Sequence, residues 1–171
     1  GAEDHGAPLL LPAEVEELRD AIRRFAQERL KPFAAKWDLE RSYPAGPIAE
    51  MGEMGLFGLL LPAAFGGSDV GQLAYAAAVE EIAAADGSCS TIMSVHNSVG
   101  CMPILKYGTP EQQDRFLPPM ASGQWIGGFA LTEPQAGSDA SNIRTRAVRD
   151  GDHYVLNGAK QFITSGATAK V

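Results

Sequence analysis

The run from Phe129 to Asp139 contains the residue types that a ligand-binding turn needs. An apolar stretch reaches Thr132 and is followed by Glu-Pro-Gln-Ala-Gly-Ser-Asp. Gly137 lets the backbone approach a ligand closely, and successive N–H groups in such a turn can form an anion-binding nest. The hydroxyls of Thr132 and Ser138 add donors that can reach a phosphate or a heterocycle edge. On turn chemistry alone, an ordinary turn between a strand and a loop is the favoured interpretation.

The other side chains that could do chemistry have simpler structural explanations. Glu80 and Glu81 lie next to each other on a predicted helix, where a solvated face and one helix-packing hydrogen bond account for them. His96 has no carboxylate three or four residues away, which predicts a hydrogen-bonded histidine inside a central helix. The three histidines are too far apart in the sequence for a metal-ligand motif. Cys89 and Cys101 are predicted to be buried free thiols.

The composition excludes several classes of protein. With 45% hydrophobic and 20% charged residues, the chain can bury a core and is not intrinsically disordered. A net charge of -7 argues against nucleic acid or an anionic membrane surface as the main partner. The longest apolar stretch, residues 56–65, is broken by Gly58 and Pro62 and is too short to span a bilayer. G-x-S-x-G, G-x-G-x-x-G and Walker motifs do not occur.

The sequence predicts five or six helices in residues 12–124, after a loose lead-in over residues 1–11. Apolar residues at three- and four-residue steps predict an amphipathic helix from Pro12 to near Pro32. Asp69 is predicted to cap an alanine-rich helix that ends near Ala85. A short helix over residues 47–56, a nearly uncharged one over residues 91–107 and a last one capped by Thr109 complete the set.

From residue 125 the pattern changes to extended chain, and Asp150-Gly151 is a hairpin turn signal. Strands are predicted over residues 125–131, 143–148, 153–156 and 159–164. The fold class is therefore α+β: an all-helical N-terminal domain over residues 12–124, followed by the start of an antiparallel β-domain over residues 125–171. Such a sheet leaves an open edge, so the sequence is predicted to be a fragment that ends inside this domain.

Two motifs in the β-region carry a family resemblance. The first is T-E-P-x-A-G-S-D at residues 132–139, and the second is G-D-x-Y-V-L-N-G-x-K-x-F-I-T at residues 151–164. Together with Tyr-Gly-Thr-Pro-Glu-Gln-Gln at residues 107–113, they resemble the acyl-CoA dehydrogenase family over roughly residues 12–171. The residue pattern by itself predicts the helix-to-strand change near residue 125, and that change agrees with the family.

The resemblance implies a fold of three parts: a helical domain, a middle β-barrel-like domain and a C-terminal four-helix domain that this chain lacks. It also implies that flavin adenine dinucleotide (FAD) lies between the last two. Thr132 would bond the pyrimidine edge of the flavin, Thr164 would lie near its N5, and Ser138 would also bind the acyl-CoA substrate. The implied cofactor-binding residues are Phe129, Leu131, Thr132, Gly137, Ser138, Phe162, Ile163 and Thr164. Many relatives carry Tyr at the first of these positions and Trp in place of Phe162, so the aromatic wall is kept but any hydrogen bond from those side chains is lost.

The implied reaction is α,β-dehydrogenation of an acyl-CoA thioester, in fatty acid or branched-chain amino acid catabolism. A Glu outside this chain would remove the α-proton, and the β-hydrogen would pass as hydride to flavin N5. This chain would then contain no catalytic residue, because Glu133 sits in a structural turn of the matched motif. Electrons would pass to an electron-transfer flavoprotein, and the full-length protein would be a homotetramer in the bacterial cytoplasm or the mitochondrial matrix.

Two alternatives remain open from the sequence. A flavin oxidase or monooxygenase of the same fold would react with oxygen instead. If the chain were complete as it stands, it would be a helical interaction module without catalysis. As a fragment, the chain is expected to be inactive and to bind FAD weakly.

Overall fold

The computed structural model describes residues 11–171, and seven α-helices fill the first two thirds of that range. Except for Leu11, the predicted lead-in over residues 1–11 lies outside the described residues. The helices are α1 Ala13–Phe25, α2 Ala34–Glu40, α3 Ala45–Glu53, α4 Gly71–Ala85, α5 Gly87–Val95, α6 Cys101–Tyr107 and α7 Pro110–Ala121. In the described range, none of these helices has the length and apolar content to cross a membrane.

Two π-helical turns lengthen these helices. Ala26–Leu30 continues α1 to the predicted boundary near Pro32, and His96–Gly100 joins α5 to α6. The central helical stretch therefore runs without interruption from Gly87 to Tyr107. Single π-helical turns inside helices occur frequently at functional sites.

The predicted cap at the start of α7 is confirmed. The Thr109 hydroxyl accepts from Gln112 N at 3.3 Å, and the Gln112 side chain accepts from Thr109 N at 2.9 Å. Pro110 follows at the first helical position, where its missing N–H costs nothing.

The prediction that Asp69 caps α4 is wrong. Asp69 has a φ of 43°, and α4 begins at Gly71 without a side-chain cap. The backbone N–H of Asp69 donates to Leu61 O, and that of Val70 donates to Leu59 O. These long-range bonds fix the backbone before the helix starts. The capping aspartate is instead Asp86, which accepts from Cys89 N at 2.6 Å and starts α5 four residues earlier than predicted.

The helices enclose two main groups of buried apolar residues. The larger lies between α1, α3, α4 and α5 and includes Ile22, Phe57 and Met93. The smaller lies between α6 and α7 and includes Cys101 and Met120. Burial of a side chain the size of Phe57 stabilises a fold by about 2–3 kcal/mol.

An ion-pair cluster joins α1 to α4. Glu81 is buried and accepts from Arg19 Nε at 2.8 Å and from Arg23 at 2.8 and 3.0 Å. Glu80 is exposed, so the prediction of one solvated and one helix-packing carboxylate is confirmed. The Arg23 hydrogen bond, followed by that of Arg19, lowers the pKa of Glu81.

The predicted hairpin is confirmed. Strands β1 Arg146–Asp150 and β2 His153–Asn157 are antiparallel, with Val148 opposite Val155 and a turn at Gly151 with a φ of 60°. All ten strand residues are exposed. A helical region followed by the start of a β-domain is thus the observed order.

Two other predicted strands do not form. Residues 125–131 and 159–164 have no strand ladder in the described structure. Side chains supply part of their backbone hydrogen bonding, as Lys160 does for Leu131 O. Phe162 also has a φ of 57°, which no strand residue adopts. β-prone composition does not make a strand where no ladder of successive backbone bonds forms.

Candidate functional site

Residues 126–132 lie beside residues 160–171. Lys170 N donates to Ile126 O at 2.9 Å, Gly128 N to Val171 O at 2.8 Å, and Gln161 N to Thr132 O at 2.9 Å. A Cβ on Gly128 would come within 3.3 Å of Thr164 O and of Ala169 Cβ. These contacts bring together the two segments from which six of the eight cofactor-binding residues were predicted.

Three large apolar side chains of these segments are exposed. Phe129 is 43% exposed, Leu131 is 37% exposed and Phe162 is 87% exposed. Thr132, Ile163 and Thr164 are half-buried. Phe162 also has left-handed backbone geometry, which is unusual for a bulky residue and costs about 1 kcal/mol or more. Phe162 thus combines an exposed aromatic ring with a strained backbone.

Gly137 and Ser138 lie in the turn between the two segments and are exposed. A Cβ on Gly137 would meet nothing within 4 Å. Within residues 11–171, the N–H groups of both residues donate to no protein acceptor. Packing within the described chain therefore does not require a glycine at position 137. The N–H groups of Gly137 and Ser138 are two adjacent donors that a ligand could use.

The buried carboxylate of Glu133 organises the turn. It is 3% exposed and accepts from Arg144 N at 2.8 Å, Thr145 N at 3.0 Å, Gln135 Nε2 at 2.6 Å and Lys160 Nζ at 2.9 Å. The Thr145 side chain, the Arg144 N–H and the Lys160 ammonium together hold the pKa of Glu133 well below its usual range.

A carboxylate in this environment stays ionised and has no free position from which to take a proton. These bonds support the prediction that Glu133 is structural rather than a catalytic base. Sequence reasoning missed its partner Lys160, which also donates to Leu131 O at 2.8 Å and so clamps the two segments together. The only signal was the lysine inside the second motif, 27 residues from Glu133.

A cleft of about 650 Å³ borders the same region. Thr164 and Ser165 form one wall, and α2 and the start of α5 form the other, with Asp38, Ser88 and Thr91 among the lining residues. The sequence did not predict this cleft, because its walls are far apart along the chain.

His96 is fully buried, and both of its ring nitrogens are bonded. Nε2 lies 3.0 Å from Met120 O, and Gly127 N donates to Nδ1 at 3.0 Å. Burial lowers the pKa of His96 to about 4. The prediction of a satisfied histidine is confirmed. Both cysteines are buried and free, also as predicted, and the described residues contain no group of three metal-ligating side chains.

This combination of helices, hairpin and paired segments matches one family along nearly the whole chain. Residues 12–124 match the N-terminal domain of acyl-CoA dehydrogenases, and residues 128–171 match the middle domain. The chain belongs to the acyl-CoA dehydrogenase family.

Individual relatives have the same fold and a longer chain. The mitochondrial isobutyryl-CoA dehydrogenase of Dictyostelium discoideum is 43% identical over 148 residues, which is 86% of this chain and 35% of the relative. A structure of the electron transferring flavoprotein of Acidaminococcus fermentans contains a chain that is 37% identical with a TM-score of 0.89, covering 95% of this chain and 43% of that one. Glutaryl-CoA dehydrogenase from Mycobacterium smegmatis in complex with FADH2 is 35% identical with a TM-score of 0.88, covering 93% and 41%. The chain thus spans less than half the length of these relatives.

Proposed function

We propose that the full-length protein is an FAD-dependent acyl-CoA dehydrogenase and that this chain supplies one side of its flavin site. The observation that carries the proposal is the Lys160 clamp: it joins two segments that expose Phe129 and Phe162 beside the hydroxyls of Thr132 and Thr164. An isoalloxazine needs apolar walls and a few hydrogen bonds, which is the chemistry these residues offer.

The predicted residues divide into three roles: packing against the flavin ring, hydrogen bonding to it, and binding the pyrophosphate. Phe129, Leu131, Phe162 and Ile163 pack against the flavin. The Thr132 hydroxyl bonds the pyrimidine edge, and Thr164 lies near N5. The N–H groups of Gly137 and Ser138, which have no acceptor among residues 11–171, bind the pyrophosphate, and the open space around Gly137 favours this. When bound, FAD supplies the acceptor for a hydride.

The proposed substrate is an acyl-CoA thioester that Ser138 also contacts. The family resemblance implies that the base that removes its α-proton is a Glu outside this chain. Glu133 does not fit that role, because donors occupy both of its carboxylate oxygens. A relative named isobutyryl-CoA dehydrogenase favours a short acyl group.

The remaining proposals concern partners and location. The similarity to a chain in a structure titled for an electron transferring flavoprotein supports such a protein as electron acceptor. We further propose a homotetramer, located in the bacterial cytoplasm or the mitochondrial matrix, since the relatives include bacterial and mitochondrial proteins.

The test is flavin binding and reduction by the full-length protein. We expect bound FAD with its visible absorbance, and anaerobic bleaching of that absorbance by a short saturated acyl-CoA such as isobutyryl-CoA or butyryl-CoA. Thr132→Val should weaken FAD binding about tenfold, because one hydrogen bond is lost. Thr168→Val is the control, since its hydroxyl bonds Ser165 O within its own turn.

Absence of flavin after purification and titration would refute the proposal. Rapid reoxidation of the reduced flavin by air would instead identify an oxidase or monooxygenase of the same fold.

A further inference from the structure

The His96 ring connects three parts of the chain at one buried point. It lies in the π-helical turn between α5 and α6 and bonds Met120 O near the end of α7. Its other nitrogen accepts from Gly127 N, two residues before Phe129. Among residues 11–171, His96 is the one side chain of the helical region that hydrogen-bonds residues 125–132.

The two partners fix the form of the ring. A backbone carbonyl can only accept and a backbone N–H can only donate, so Nε2 must carry the proton and Nδ1 must be bare. Protonation of Nδ1 would place two donors face to face at Gly127. The backbone of Phe57 favours the protonated ring, but burial opposes it more strongly. The neutral Nε2–H tautomer is therefore part of the native packing.

The space around the ring is closely filled. The Phe57 ring packs edge-on to His96, with 4.9 Å between centroids. A Cβ on Gly127 would lie 2.8 Å from Met120 Cε and 3.5 Å from Gly100 Cα. Both glycines thus let backbones approach beside the ring, and the Gly127 backbone has little room to shift.

From this junction we infer that His96 is a positioning residue: its Nδ1 fixes Gly127 and thereby the path of residues 127–132 away from the helical region. That these residues line a flavin rests on the proposed function. The fixed path itself does not depend on it. Phe129 and Ala130 make no main-chain bond within the described residues, so their direction is set by the bonds that flank them. These are the bond of Gly127 N to His96 Nδ1 and that of Gly128 N to Val171 O on one side, and the Lys160 bond to Leu131 O on the other. Of these, only the His96 bond connects the segment to a side chain of the helical region.

The test separates the two nitrogens of the ring in the full-length protein. In His96→Asn the side-chain oxygen occupies the position of Nδ1 and can still accept from Gly127 N. In His96→Gln the terminal amide occupies the position of Nε2 and keeps only the bond to Met120 O. Hydrogen exchange followed by mass spectrometry then reports on residues 126–132, with α1 as internal reference.

We expect His96→Gln to raise exchange of residues 126–132 about tenfold or more while α1 is unchanged, and His96→Asn to stay within about threefold of wild type. Asn97→Ala is the control for general destabilisation. Asn97 follows His96 in the sequence, and its substitution removes buried hydrogen bonds to Leu56 O and Met93 O. It should have no selective effect on residues 126–132. Equal exchange in the two His96 variants, or an increase spread equally over α1, would overturn the inference.

A flavin measurement on the same variants keeps the two proposals apart. If the wild type binds FAD, His96→Gln should weaken binding about tenfold and shift the flavin absorption bands, and His96→Asn should restore both. If the wild type binds no FAD, the proposed function fails, and the exchange experiment still decides the role of His96.

Discussion

At the scale of single residues, two buried ionisable groups are held in opposite charge states by their neighbours. Glu133 receives donors on both oxygens, so it is kept charged. His96 faces one donor and one acceptor, so it is kept neutral. The sequence suggested that both were structural, yet it could not name the partners, because all of them except Gln135 lie 11 to 31 residues away.

The neutral state of His96 predicts a pH dependence of stability. Its pKa falls from 6.5 to about 4 on folding, so the unfolded chain binds more protons between these values. The stabilisation is complete above pH 6.5 and is lost as the pH falls towards 4, by about 2 kcal/mol between pH 6.5 and 4.5. Urea unfolding of wild type and His96→Asn, followed by helical circular dichroism, measures it.

The pH range separates the effect of His96 from the effects of the carboxylates. The carboxylates with lowered pKa, including Glu50, Glu81 and Glu133, act mainly below their ordinary value of 4.5. The loss between pH 6.5 and 4.5 should therefore be absent from His96→Asn. An identical decline in both proteins would contradict the assignment.

At the scale of elements, helices were predicted correctly where residues within one or two turns determine them. The spacing of apolar residues located α1, and Thr109 with Pro110 located the start of α7, because both signals act within one or two turns. Asp69 failed as a cap because distant carbonyls determine its backbone. The strand predictions for residues 125–131 and 159–164 were wrong because a strand needs a regular ladder of backbone hydrogen bonds. In these segments side chains make part of the backbone hydrogen bonds instead, as Lys160 does at Leu131 O.

The contact between α1 and α4 gives a prediction at this scale. Glu81→Gln leaves Arg19 and Arg23 without their buried carboxylate, so we expect a loss of about 2 kcal/mol in the free energy of unfolding. Glu80→Gln, on the exposed face of the same helix, should change it by less than about 0.5 kcal/mol. Chemical unfolding of both variants provides the comparison, and equal effects would show that the cluster contributes no more than a surface charge.

At the scale of the whole molecule, the helical region and the hairpin differ sharply in burial. The helices surround two apolar groups, whereas both faces of β1 and β2 are exposed. A two-stranded hairpin without a packed face is marginally stable in water. The sequence predicted this imbalance and, from the Asp150-Gly151 turn signal, the pairing of β1 with β2. It did not predict that residues 125–131 and 159–164 would form no strand.

We therefore expect uneven hydrogen exchange in the 171-residue chain studied by itself. Amides of β1 and β2 should exchange at least about a hundredfold faster than those of α4 and α5, because little buried surface opposes their opening. Mass spectrometry of peptic fragments measures this, with the same peptides of the full-length protein as reference, where we expect protection. Equal protection of the hairpin and α4 in the isolated chain would contradict the expectation.

The uninterrupted helical stretch from Gly87 to Tyr107 has a further consequence. Cys89 lies near its start in the larger apolar group, and Cys101 lies beyond the π-helical turn in the smaller one. Burial raises the pKa of both thiols, that of Cys101 to about 12, so neither forms the reactive thiolate while its surroundings stay closed. Each thiol can therefore report on one of the two apolar groups. The rate at which a reagent alkylates Cys89 or Cys101 measures how often the surrounding group opens, and no cysteine has to be introduced.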